Sequence, residues 1–146
     1  MIPIENLKQQ QREICELIHV LTILVQDESV RGTRTVFNLL NRLTEQVEAH
    51  FHLEDSALYA DLLNHDDKKV KETAWRFLSG EKEIKRFFNA YAAKWCRNFG
   101  AVDANGVFQR DTEDMLRLLL ERMQQVESEF YPLVGELQAT QGAAAS

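Results

Sequence analysis

Val47–Leu63, VEAHFHLEDSALYADLL, is the stretch on which the reading of this chain turns. Stepping by threes and fours through Val36, Leu40, Leu43, Val47, His50, Glu54, Leu58 and Leu62 traces one face of a long helix. The aliphatic members of that face mark it as core. His50 and Glu54, four residues apart, stack on the same face. A buried carboxylate is costly unless something offsets its charge. The spacing therefore predicts an interior partner for Glu54: a metal ion, an arginine or a hydrogen-bonded network.

The rest of the chain repeats the helical period. A first helix is expected from Pro3–Glu5 to about Val25, with the stripe Leu7, Gln11, Ile14, Ile18, Leu21 and Val25. QDESVRGT forms the first connection, broken at Gly32. The second helix runs from Thr33–Thr35 to about Leu63, and Asp66 or Asp67 caps its successor. That third helix spans roughly Lys68 to Arg97, with Ser79-Gly80 as a site of bending and Glu81 placed on the core line. NFGAVDANG is expected as loop. A fourth helix follows from about Asp111 to Leu137, with Leu116, Leu119, Met123, Val126, Phe130 and Leu133 inward, Arg122 at the margin and Pro132 kinking or shortening its end. Four such helices joined by short loops predict an all-α, antiparallel up-down-up-down four-helix bundle over residues 1–138, with a disordered tail at 139–146.

Composition narrows the function. A net charge of −6 argues against a nucleic-acid binder, which presents a basic surface. No segment is long and apolar enough to span a bilayer, and the N-terminus lacks a signal-peptide core, so a cytoplasmic location without membrane attachment is expected. Cys15 and Cys96 fit no metal or redox spacing and read as reduced structural thiols. No P-loop, dinucleotide fingerprint or Ser-His-Asp arrangement is present, so nothing in the residues points to an enzyme. Phe87 and Phe88 are adjacent, so one must leave the stripe; this suggests a homodimer surface.

The second and fourth helices echo each other, EDSALYADLL against ESEFYPLVGEL. HFHLEDSALYADLL resembles the second-helix signature of hemerythrin-like (HHE) domains. There a His precedes a Glu by four, followed by a second acid, an apolar-aromatic pair and usually a Pro. Here these are His50, Glu54, Asp55 and Leu58-Tyr59, with Ala60 where the Pro is expected. VESEFYPLV resembles the fourth-helix signature, with Tyr131-Pro132 in register, and QQQREICELI resembles the first-helix opening.

The resemblance implies a bundle enclosing a non-haem di-iron site used in oxygen binding, sensing or iron chemistry. Carried over by position, only His50 and Glu54 match its ligands. Arg122 stands where the fourth-helix His belongs, and Val126 where its carboxylate belongs, with Glu127 beside it but about 100° away. Gln11 holds the first-helix His position, and Glu81 is the nearest polar group for the third. The family centre needs more imidazoles than the four histidines this chain has.

Two functional expectations follow. The first is a domain whose di-iron site is largely lost, with no cofactor, acting in signalling or regulation through an unidentified protein partner. In it Gln11, His50, Glu54, Glu81 and Arg122 form a buried polar network, with Arg122 within salt-bridge reach of Glu54 or Glu81. The alternative is a metal-binding oxygen or redox sensor or carrier, with iron on His50 and Glu54 assisted by Gln11 and Glu81.

Overall fold

Long amphipathic helices account for nearly all of the described chain. The computed structural model describes residues 2–97 and 106–145, with backbone only for 141–145. The first arm is α1 (Ile4–Gln26). One further helical turn, α2 (Glu28–Arg31), stands inside the connection expected as loop, because the Asp27 carboxylate accepts from the Ser29 N–H (2.9 Å) and caps it. The second arm is α3 (Arg34–Leu53), a π-helical turn at Glu54–Tyr59 and α4 (Ala60–Leu62). The third is α5 (Lys68–Tyr91) with a π-helical turn at Ala92–Cys96. The fourth is α6 (Val107–Gln125), a π-helical turn at Val126–Phe130 and α7 (Tyr131–Ala145). Asp67, of the two aspartates considered, caps α5 by accepting from the Lys69 N–H at 2.8 Å.

α1 packs against α3 and α6, α5 packs against α6, and the π turn at Ala92–Cys96 reaches back to α3. Each arm thus adjoins its neighbours in the cyclic order of a four-helix bundle. Most of the expected third connection, at residues 98–105, lies outside the described residues. Helical backbone continues to Ala145, into the stretch expected as a tail; its run of alanines has high helix propensity. Ser146 lies outside the described residues. α5 passes through Ser79-Gly80 without interruption.

The echo between the second and fourth arms has a physical basis. Adjacent residues in an ordinary helix diverge by about 100°, and a broad apolar face buries both, as at Leu17-Ile18 and Val36-Phe37. Leu58 and Tyr59 are such a pair, and so are Phe130 and Tyr131. At these two pairs the turn is also widened: the Ala60 N–H bonds to the Asp55 carbonyl and the Tyr131 N–H to the Val126 carbonyl, each five residues back. Pro132 lacks an N–H and would crowd a regular turn. The loosened turn before it lets the arm continue where a shortened helix was expected.

The interior divides in two. One apolar cluster extends from Ile14, Leu43 and Val47 to Phe108, Leu119 and Met123. The other joins Leu7, Leu58, Tyr59, Phe77, Phe130 and Val134. Along each arm, one polar stretch marks the change from one cluster to the other, and there the candidate site lies.

Candidate functional site

Every arm contributes to this layer. Gln11 lies between Leu7 and Ile14 on α1; His50 and Glu54 precede Leu58 on the second arm; Glu81 follows Phe77 on α5; Arg122 precedes Val126 on α6. All five side chains are buried, His50 and Glu81 with no exposure at all. The structure thus brings the sequence-derived set into one interior level.

Their bonding departs from expectation at Arg122. Its Nη2 donates to the Tyr59 hydroxyl (3.0 Å) and to the Phe77 carbonyl (2.9 Å), and its guanidinium lies over the Phe77 ring at 5.6 Å. Among the described residues it forms no ion pair with Glu54 or Glu81, so the expected salt bridge is replaced by bonds to neutral acceptors. The reason is reach: the buried Tyr59 hydroxyl lies 3.0 Å from Nη2 and takes the guanidinium first. Arg122 remains interior, and its charge bears on Tyr59 and Tyr131, as does that of Glu54. A glycine in mid-helix α5 is explained by the same residue, because a Cβ at Gly80 would stand 3.0 Å from Arg122 Nη1.

The cation in direct contact with a buried carboxylate is Lys85, which sequence reasoning missed. Its Nζ is 2.6 Å from Glu81 Oε1 and 2.5 Å from Asp55 Oδ2, bridging α5 to the π turn of the second arm. The i,i+4 spacing from Glu81 was a usable signal. Burial lowers the ammonium's proton affinity, but Asp55 and Glu81 more than restore it, and the net shift is upward. Burial, reinforced by Asp55 and only partly countered by Lys85, pushes the Glu81 carboxyl up to about 8. Glu81 therefore holds a proton that Asp55 can accept, while Lys85 carries the positive charge.

Linkage gives this a measurable sign. Glu81 binds its proton in the folded state at pH values where the unfolded chain has already released it, so stability falls as pH rises from the ordinary carboxylate range towards 8. Thermal melting of the wild type should drop between pH 6 and pH 8.5 more than that of Glu81→Gln, which cannot titrate. Equal slopes for the two proteins would show that Glu81 is ionised throughout.

His50 is oriented by another residue that sequence reasoning missed. Its Nδ1 is 2.9 Å from the half-buried Gln10 Oε1; an amide oxygen only accepts, so the hydrogen sits on Nδ1. Nε2 then faces Glu54, with Oε1 at 3.1 Å but not aligned for a hydrogen bond. Gln11, which the sequence favoured, is buried with neither amide atom partnered. Glu54 Oε2, Arg122 Nε and the Tyr131 hydroxyl likewise have no hydrogen-bond partner. Burial, followed by the Glu54 charge, raises the proton affinity of both Tyr59 and Tyr131, so both phenols stay neutral. Beneath them Phe130 stacks on Phe77 (4.5 Å) and on Tyr59 (5.7 Å).

Other candidates stay apart from this layer. His19 and His52 are exposed, and His65 Nδ1 accepts from the Asp67 N–H in the turn before α5. Cys15 and Cys96 are free thiols. Val126 is buried and Glu127 exposed, so the fourth arm offers no carboxylate here. Among the described residues, no three His, Cys, Asp or Glu side chains converge as a metal-ligand group, and no helix is long and apolar enough to cross a membrane.

An all-α bundle with ionisable side chains from facing helices in its middle is the architecture of helical cation-binding domains. The chain belongs to the hemerythrin family: residues 2–134 match the description Hemerythrin HHE cation binding domain. Comparison with curated proteins and with solved structures yields no match. The donor set fits the family's di-iron centre poorly. It offers one imidazole beside one carboxylate, at His50 and Glu54, a second carboxyl already held by an ammonium, at Glu81, and a guanidinium at a position where the family places a ligand; among the described residues no three potential ligands converge.

Proposed function

We propose that this is a hemerythrin-fold domain in which fixed side-chain cations have replaced the metal, and that it works as a non-enzymatic, cytoplasmic regulatory or protein-interaction module. The observation that carries this reading is the Lys85 ammonium, 2.6 Å from the buried Glu81 carboxyl and bonded also to Asp55. The ammonium offsets the Asp55 charge and holds the Glu81 carboxyl at a level of the bundle where a metal would otherwise be the positive group, and Arg122 adds a second cation in the same layer. With fixed cations in the layer, the bundle serves as a scaffold and its surface carries the function.

A second reading has its own support. His50 Nε2 and Glu54 Oε2 lack hydrogen-bond partners, and His50 is held through Nδ1 by a carbonyl oxygen, as metal-bound imidazoles commonly are. In this reading one iron binds His50 and Glu54, with Gln11 and Glu81 assisting, and the domain is a sensor or carrier.

Metal analysis of protein expressed with iron and purified without oxygen or chelators separates the two. The cation-substituted scaffold predicts metal far below one per chain, and a His50→Ala variant that melts lower by the same amount with or without added iron. One iron per chain, lost in His50→Ala together with a holo-only gain in melting temperature, would establish the second reading instead.

A further inference from the structure

Among the described residues Ile23 on α1 is the most exposed large apolar side chain at 70%, and Val20 on the same helix is 47% exposed; Trp75 (50%) and Phe87 (41%) stand apart from them on α5. Val20 and Ile23 lie three residues apart, on one face of the helix. Val20 also lines a groove of about 410 Å³ between α1 and α3, together with half-buried Leu39. The α1 wall of this groove carries Glu13 and Glu16, and the α3 wall carries Arg42. Glu16 and Arg42 form no ion pair with each other or with any other described residue. An apolar strip with an unpaired acid on one wall and an unpaired base on the other is complementary to itself.

We infer that this face binds a second copy of the chain, in a two-fold dimer in which each α1 lies along the other's α1/α3 groove. Rotation about the axis sets Glu13 and Glu16 of one chain against Arg42 of its partner, and Val20 and Ile23 of each cover the apolar strip of the other. The groove around Phe87, between α5 and α6, lacks this property. On its rim Lys94 already pairs with Asp111, and Arg117 pairs with Asp114 and Glu121, so no unpaired base is left there to meet Glu83 of a second copy. The inference goes beyond the metal-free reading and does not depend on it, since the surface is the same whatever the interior holds.

Sedimentation equilibrium of the full chain, from micromolar to near-millimolar concentration at low salt, tests it. A reversible monomer–dimer equilibrium is expected, with Ile23→Glu raising the dissociation constant about tenfold or more. Glu16→Arg and Arg42→Glu should each weaken association. The double variant carrying both should recover it among its own chains but fail to pair with wild type. All these sites are exposed, so melting temperature should stay near that of the wild type and report correct folding. A mass of one chain throughout overturns the proposal. So does a dimer indifferent to Ile23→Glu, or a double variant that stays as weak as the singles.

Discussion

Arg122→Ala is expected to destabilise the fold by about 3–5 kcal/mol, the range for removing one partner from a buried charged cluster. The change strips charged hydrogen bonds from the Tyr59 hydroxyl and the Phe77 carbonyl, both buried. It also leaves a void against the Phe77 ring and beside Gly80. Most specifically, it removes positive charge from an interior that also holds Glu54 and Glu81. For a chain of this length the loss corresponds to a fall in melting temperature of about 10 °C. A double-mutant cycle isolates the charge contribution: in a Glu54→Gln background the cost of Arg122→Ala should shrink, because the carboxylate it compensates is gone. Strict additivity would mean that Arg122 acts only through Tyr59 and Phe77.

Phe130→Ala should be about as damaging, again about 3–5 kcal/mol for deleting a fully buried ring. Phe130 has no exposed surface and is stacked between Phe77 and Tyr59. Its loss would free both the ring that the Arg122 guanidinium covers and the phenol that Arg122 binds, so the polar layer would loosen from below. Phe87→Ala is the natural comparison: the same residues are exchanged at a partly exposed site, with an effect of about 0.5 kcal/mol or less expected. Chemical denaturation of both variants decides the matter. Comparable small losses would mean that the aromatic stack does not clamp the layer.

Much of this molecule was legible in its residue spacing. The 3.6-residue period of the apolar stripes identified all four arms. The breaks in that period at Gln11, His50, Glu54, Glu81 and Arg122 identified the members of the interior layer, because a polar residue on an apolar face has nowhere else to go. The match of the His50–Glu54 stretch to the family signature agrees with the family found across residues 2–134.

Pairing within the layer was not legible. Arg122 was expected on a carboxylate and is found on Tyr59 and Phe77, because charge alone does not say which acceptor lies within reach. Lys85 was not singled out by any spacing considered, yet it meets Asp55 across thirty residues of chain. Gln10 and Gln11 are indistinguishable by composition, and only the rotation of α1 determines that Gln10 reaches His50 while Gln11 is buried without a partner.

The sequence by itself determined the bundle and most of its inward face, since burial follows helical period, though beyond the π turn of the fourth arm Val134 is buried where Leu133 was expected; ligand number followed from composition. The tertiary structure alone decided the partners, because hydrogen bonds and ion pairs depend on ångström-scale approach between arms. Tyr59 and Tyr131, buried at the ends of the π turns at Glu54–Tyr59 and Val126–Phe130, illustrate it: one phenol reaches Arg122 and the other finds no hydrogen-bond partner.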